Sequence, residues 1–273
     1  DFVRRSIFID KTIKPTIYTI EVYDCTVKVE VDSLFHCLVP LSFLFTLVFK
    51  VGKEKEEKII DEGFTQIDEK IIGEADLVVF ALYPHVFVEW IEENQSLLKS
   101  GALITDVTGV KRSIVYKIQE ILRPDVEFIA AHPMAGREVS GVENSTDKMF
   151  VGANYIVTPT HKNTPDAIHT CMELGRLLGF SNVTTLSPEE HDEMIGFLSQ
   201  LTHCIAITLM TCNDKEDMEK FTGDSFRDLT RIARINDLMW SELFVANKDA
   251  LLNQMNLFMD KFMELTESNK AEL

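Results

Sequence analysis

Apolar positions along the first two thirds of the chain fall in two rhythms. Residues 16–31 (TIYTIEVYDCTVKVEV) alternate apolar and polar with many β-branched side chains, which predicts one or two strands. Residues 75–82 (ADLVVFAL), 102–107 (ALITDV) and 126–133 (VEFIAAHP) are short continuous apolar runs, the pattern of strands covered on both faces of a parallel sheet. Residues 154–160 (NYIVTPT) and 182–186 (NVTTL) predict two further strands. Helical spacing fills the gaps: 86–99 closed by Ser100-Gly101, then 113–122, then 164–179 with Pro165 early and Gly179 at its end. Strand–helix alternation of this kind predicts an α/β domain over residues 1–187, with a doubly wound, mostly parallel sheet.

The rhythm changes after Ser187-Pro188. Only helical periodicity follows, over 189–212, 225–234 and a long run from 237 to about 265. Leu251, Met255, Phe258 and Phe262 form one apolar stripe along that last run. Residues 188–273 are therefore expected to be a small all-helical domain whose stripe packs on a partner subunit as well as on itself. Residues 34–49 are almost wholly apolar, yet shorter than the ~20 residues of a membrane-spanning helix. With His36 and Pro40 inside, they read as a buried strand pair or core helix, and no membrane association is expected. Residues 53–58 (KEKEEK) read as a charged helical or loop face.

Charge narrows the partners. With 44 acidic and 27 basic residues the net charge is −17, so no global field draws in nucleic acid. An anionic ligand would need a local cationic pocket. The five cysteines (Cys25, Cys37, Cys171, Cys204, Cys212) show no CxxC pair, so neither a disulfide framework nor a metal site is expected. Reduced thiols in a cytoplasm are the plain reading, and no signal peptide is recognisable.

In a doubly wound sheet, ligands bind at the carboxyl ends of the strands. Three segments fall there: Tyr83-Pro84-His85, Asp106 to Lys111, and His132 to Glu138. Small residues in these turns let a flat ligand approach the backbone. Taken alone, His132 reads as readily as a capping or packed histidine.

Five motifs in order carry a resemblance: DVTGVK (106–111), HPMAGREVSG (132–141), NYIVTPT (154–160), HDEMIGFLSQLTHCIA (191–206) and FRDLTRIA (226–233). Together they resemble the prephenate/arogenate dehydrogenase family, the oxidative decarboxylases of tyrosine biosynthesis, from about residue 59 to residue 265. The resemblance implies a Rossmann-like dinucleotide-binding domain followed by a helical domain that forms a homodimer. It implies oxidation of a small anionic substrate, prephenate or alternatively arogenate, with NAD as cofactor or NADP in its place. His132 matches the family's catalytic histidine, and His203 a second histidine that faces the substrate. Arg231 matches the arginine that clamps a substrate carboxylate; Glu138 matches an acidic residue at the pocket mouth. Gly136 and Gly109 fall among the substrate contacts, and Tyr83, Pro84, Val107 and Thr108 on the cofactor side.

Arg231 also reads as a helix-surface ion-pair partner of Asp228, and His203 as a core histidine. Arg137, Arg227 and Arg234 complete a basic cluster suited to a dianion, although Arg227 and Arg234 read best as solvated. His191 reads as structural near the domain boundary. His85, His161 and His169 carry no context beyond surface or packing. No chorismate mutase segment is expected ahead of the matched region, nor a regulatory domain behind it.

Two departures stand out. Where the family often carries a serine that bonds the catalytic histidine, this chain has Gly109; the Thr108 hydroxyl is the nearest substitute. The second is larger. A dinucleotide fold opens with a strand, GxGxxG and a helix, but the first glycine here is Gly52 and the next Gly63. Phe49-Lys50 stands where an acidic residue for the ribose is expected. Three readings of residues 1–50 stay open: a foreign or frame-shifted replacement, a homologue that has lost cofactor binding, or an unfamiliar nucleotide-binding backbone. The chain could then be a binding or regulatory protein instead of an enzyme.

Overall fold

The computed structural model describes residues 18–22, 25–29, 45–48, 69–136, 147–213 and 217–271, which divide into two compact units, Asp1–Pro188 and Glu189–Leu273. In the first unit, β1 (Tyr18–Val22) and β2 (Cys25–Val29) pair antiparallel, so the alternating run is a hairpin. A parallel sheet comes next in the order β3 (Phe45–Val48), β4 (Leu77–Phe80), β5 (Leu103–Asp106) and β6 (Glu127–Phe128). β3 comes from the apolar run at 34–49. The rest of that run and the charged stretch at 53–58 lie outside the described residues.

Helices α1 (Glu69–Glu74), α2 (Pro84–Asn94) and α3 (Arg112–Ile121) are interleaved with these strands. α2 starts where Pro84 occupies the first turn, a position at which its missing N–H has no partner to lose. It buries Val86, Phe87, Trp90 and Ile91, and its Phe87 and Trp90 rings lie 4.6 and 4.8 Å from the ring of Phe80 on β4. These contacts anchor α2 beneath the strand ends.

The apolar run at 126–133 is two strands, not one. β6 pairs with β5, whereas β7 (Ala130–Met134) pairs antiparallel with β8 (Asn154–Thr158), His132 opposite Ile156. The switch occurs at Ile129, whose N–H still donates to the Ile104 carbonyl at 3.0 Å. β9 (Asn182–Thr185) pairs parallel with β8, leaving β7 at the edge of this sheet. An edge strand accommodates Pro133, which has no N–H to give. α4 (Pro165–Leu177) is capped by the Thr164 hydroxyl, which accepts from Ala167 N at 3.2 Å, and Gly179 with φ of +87° ends it.

The second unit is helical throughout its described residues. α5 (Pro188–Ile195) runs through a π-helical turn, Gly196–Leu201, into α6 (Thr202–Thr211). α7 (Asp224–Thr230) leads into a tight turn at Arg231–Ala233, and α8 (Asp237–Ala246) and α9 (Lys248–Ala271) complete the unit. The long run expected from 237 to 265 is thus broken. At the break the buried Asn247 amide donates to Asp192 O and to Gln200 Oε1, each at 2.8 Å, while Gln200 Nε2 donates to Leu243 O at 3.0 Å. Gly196 lies close to this break: a Cβ there would be in ordinary van der Waals contact, 3.5 Å from the backbone of Ala250 and Leu251.

On α9, Leu251 is buried and Met255 half-buried, but Phe258 and Phe262 are exposed, so the stripe runs off the unit's own core. Among the described residues, Pro188–Thr211 is one run long and apolar enough, by length and composition, to cross a membrane. It also carries the buried polar residues His191, Asp192 and Gln200.

One contact in the first unit tests the packing. A Cβ on Gly175 of α4 would come within 3.0 Å of three carbons of the buried Tyr155 ring. Alanine gains ~1 kcal/mol of helix propensity, but overpacking of this kind costs ~1–3 kcal/mol. Gly175→Ala is expected to lower the unfolding temperature in a calorimetric scan; an increase would show that the Tyr155 ring gives way freely.

Candidate active site

The carboxyl ends of β4 and β5, together with β7 and the residues just after it, carry the first unit's candidate residues. Asp106, the last residue of β5, is fully buried, and a carboxylate in that position requires charged and hydrogen-bonding partners. Its Oδ2 accepts from Lys111 Nζ at 2.7 Å and from Thr108 N at 3.1 Å, and its Oδ1 accepts from Ala131 N at 3.1 Å. The equally buried Lys111 also donates to the Ala131 carbonyl at 2.5 Å and to Thr108 Oγ1 at 3.2 Å. The Thr108 hydroxyl sits between Asp106 Oδ2 and the Val110 carbonyl, 2.9 Å from the latter. Thr108 is therefore part of the brace that shapes this turn, and its hydroxyl is directed inward.

His132 comes directly after the braced Ala131, half-buried at the middle of β7. The Val107 N–H donates to the Phe80 carbonyl at 3.2 Å, which carries the β4–β5 ladder to its end. Val107 and Gly109 are partly exposed there. Tyr83, also partly exposed, stacks on the His85 ring at 6.2 Å, and Pro84 is buried at the start of α2. Gly136 is exposed, with nothing within 4 Å of where a Cβ would lie. Arg137 and Glu138 lie outside the described residues.

Beneath this surface, Thr105 on β5 contacts the Cys171 thiol, which also meets the Tyr155 hydroxyl, both at 3.7 Å. Burial pushes the Cys171 thiol up from 9.0 to about 11, against the opposing hydrogen bonds from Tyr155 and Thr105. Burial, then the neighbouring thiol, likewise holds the Tyr155 phenol well above its ordinary value. The layer supporting the strand ends is neutral and chemically quiet.

In the helical unit, His203 lies on α6, two residues beyond the π-helical segment. Its Nδ1 is 2.8 Å from the Ser199 carbonyl, and since a carbonyl only accepts, Nδ1 carries the proton and a neutral ring holds its lone pair on Nε2. Trp240 of α8 covers the ring, with centroids 3.8 Å apart. The Arg231–Ala233 turn packs against α6, so the unit brings the arginine's turn and the histidine's helix together, with Arg231 exposed. Arg227 is occupied on the surface by the Asp224 carboxylate and by the Thr222 carbonyl at 2.8 Å. His191 is fully buried with Nδ1 2.8 Å from Asp192 Oδ1, a structural placement. His85, His161 and His169 are exposed.

The family descriptions "Prephenate dehydrogenase, nucleotide-binding domain" and "Prephenate dehydrogenase, dimerization domain" match residues 49–180 and 187–272. The chain belongs to the prephenate dehydrogenase family. It is 31% identical over 212 residues to the prephenate dehydrogenase of Bacillus subtilis (strain 168), which covers 74% of this chain and 56% of that protein. It is 31% identical over 230 residues to the Lactococcus lactis subsp. cremoris enzyme, covering 79% of this chain and 62% of the relative. The chain thus spans between half and two thirds of the length of these curated relatives. A solved prephenate dehydrogenase from Aquifex aeolicus, in complex with hydroxyphenyl propionate and NAD+, superposes with a TM-score of 0.73 at 28% identity, covering 84% of this chain and 82% of that one.

Two halves of a dinucleotide site fare differently here. The partly exposed ends of β4 and β5, with Val107, Gly109 and Tyr83, offer an open ledge that fits a flat nicotinamide. A pyrophosphate needs glycines for close backbone approach, and residues 1–51 contain none. The described residues therefore fit the nicotinamide end and supply no phosphate cradle.

Three residues escaped prediction as contributors to the site. Asp106 and Lys111 stand in a quoted motif, and a charged pair flanking Thr-Gly at a strand end is the signal that marks them. Trp240, one of only two tryptophans, had no local pattern to link it to a histidine 37 positions away.

The buried thiol yields a pH-dependent expectation. A proton retained by folded Cys171 up to about pH 11 but lost by the unfolded chain near 9 contributes stability in full below pH 9. That contribution is lost as the pH rises through about 11. The unfolding temperature is expected to fall over that interval, with Cys171→Ala flattening part of the decline. Iodoacetamide at pH 8 should alkylate exposed Cys212 in the native protein and leave Cys171 unmodified, as read by peptide mass mapping. Rapid native labelling of Cys171 would contradict its burial.

Proposed function

We propose that the chain carries out the oxidative decarboxylation of prephenate to 4-hydroxyphenylpyruvate, with NAD+ or NADP+ as oxidant, as a cytoplasmic homodimer. The observation that carries this reading is the brace on the backbone before His132, beside the end of β5, in a chain matched by both domains of the family.

Bound nicotinamide would supply the hydride acceptor. His132 accepts a hydrogen bond from the ring hydroxyl and takes its proton as the carbinol carbon becomes a carbonyl carbon. That role requires a neutral imidazole. Loss of the ring carboxylate as CO2 then aromatises the product. Aromatisation supplies the driving force, so the protein's tasks are orientation and charge placement.

Arg231 binds a substrate carboxylate, for which the guanidinium fork offers two parallel donors. His203, its tautomer set by Ser199, faces the substrate through the ring edge that carries Nε2. Gly136 and Gly109 leave room for the substrate, and Glu138 contributes at the pocket mouth. Thr108 acts on the site through the turn that it braces. Tyr83, Pro84, Val107 and Thr108 form the cofactor side.

The homodimer reading rests on apolar surface. Met194, Phe197 and Leu198 near the π-helical turn are exposed, as are Leu257, Met259, Phe262 and Met263 on α9. A second copy would cover such a face, in keeping with the matched dimerization domain.

Isothermal titration with NAD+ and with NADP+ tests the oxidant: heat with one of them is expected, and none with either at millimolar concentration would sink the reading. His132→Asn should lower kcat by ~10²–10⁴-fold with substrate binding nearly intact. Arg231→Ala should mainly raise KM, by ~10–100-fold. Wild-type behaviour of both variants would refute the assignment.

A further inference from the structure

The residue immediately before His132 is held through both its backbone N–H and its carbonyl, and so through the two peptides that flank it, by side chains from the end of β5 and the turn after it. Ala131 N donates to Asp106 Oδ1 at 3.1 Å, and the Ala131 carbonyl accepts from Lys111 Nζ at 2.5 Å. The same two side chains are joined to each other at 2.7 Å, and both are fully buried. Asp106 ends β5 and Lys111 precedes α3, so one clamp ties a strand end, the adjoining turn and the start of a helix to β7.

The ladder itself does not reach this point. β5 and β6 pair only as far as Ile104 with Phe128, and beyond Ile129 the chain turns its pairing to β8. On its β5-facing side, β7 is held by the Asp106 and Lys111 side chains. An apolar pair of similar volume often stabilises a core as well as a buried ion pair does. An apolar pair, however, has no directional bond with which to orient a peptide plane.

We propose that Asp106 and Lys111 act as positioning residues for the reaction, fixing the backbone on both sides of Ala131 and thereby the direction in which His132 presents its imidazole. The proposal rests on His132 being the catalytic base. The pair acts through the backbone and needs no contact with substrate or cofactor.

The test compares Lys111→Met, Asp106→Asn and the neutral double variant Asp106→Asn/Lys111→Met with the wild type, after thermal melts have established folding. A base misplaced by about an ångström loses ~100-fold in rate, so Lys111→Met is expected to lower kcat by about that factor while KM for prephenate stays within about twofold. Asp106→Asn keeps the oxygen that accepts from Ala131 and is expected to lose less, about tenfold; it carries the test if Lys111→Met does not fold. In a His132→Asn background, Lys111→Met should produce almost no further loss of kcat, because the group being positioned is gone. Multiplying losses would overturn the proposal, as would a lowered melting temperature with unchanged kcat.

A second readout needs no turnover. In proteins labelled at histidine, the His132 ring signal, assigned from the His132→Asn spectrum, is expected to move in Lys111→Met and Asp106→Asn while the His203 and His191 signals stay in place. An inactive wild type whose His132 signal responds in this way would remove the proposed reaction and keep the clamp. An active wild type with an unmoved His132 signal and unchanged kcat would do the reverse.

Discussion

A carboxylate buried at the end of a central strand must be surrounded by donors, and Asp106 sets that requirement for the first unit. Its two oxygens gather Lys111 and the Thr108 turn from the adjoining chain and the Ala131 N–H from a strand 25 residues away. This single group thereby shapes the turn after β5, the entry into α3 and the seat of β7. His132 inherits its position from that arrangement. The neutral layer of Cys171 and Tyr155 below completes it, because uncharged groups there leave the ion pair unchallenged.

The helical unit answers a similar constraint with different chemistry. The π-helical turn releases the regular helix spacing, and side chains take up the difference: Gln200 and Asn247 lock α5, α8 and α9 together, while the Ser199 carbonyl sets the His203 tautomer. π-helical insertions of this kind cluster at functional sites because they reorient one face of a helix. Here the reoriented residue is the histidine that Trp240 covers. In both units a polar group with a fixed hydrogen-bond demand places a histidine one or a few residues away.

The unevenness of the dinucleotide side comes from where the glycines are. The ledge at the ends of β4 and β5 uses backbone that ordinary residues adopt, so a chain with few glycines can still form it. A phosphate cradle cannot be built that way, since a Cβ obstructs the approach. The described residues therefore offer exposed strand ends and no glycine-built phosphate cradle.

Much of this was legible from residue order. Continuous apolar runs marked β4 and β5, Pro165 and Gly179 bracketed α4, and the motifs around Asp106, His132 and Arg231 identified the family's chemistry. The sequence also determined that no glycine fingerprint precedes Gly52. Other features were decided only by tertiary structure. The run at 126–133 splits at Ile129 because two different sheets claim its halves, and the run at 237–265 breaks at Asn247 because Asp192 and Gln200, about fifty residues away, claim its amide. Periodicity records which face of an element is apolar. It does not record which distant polar group will satisfy a buried one, and in this protein such long-range hydrogen bonds set the strand switch, the helix break and the direction of His132.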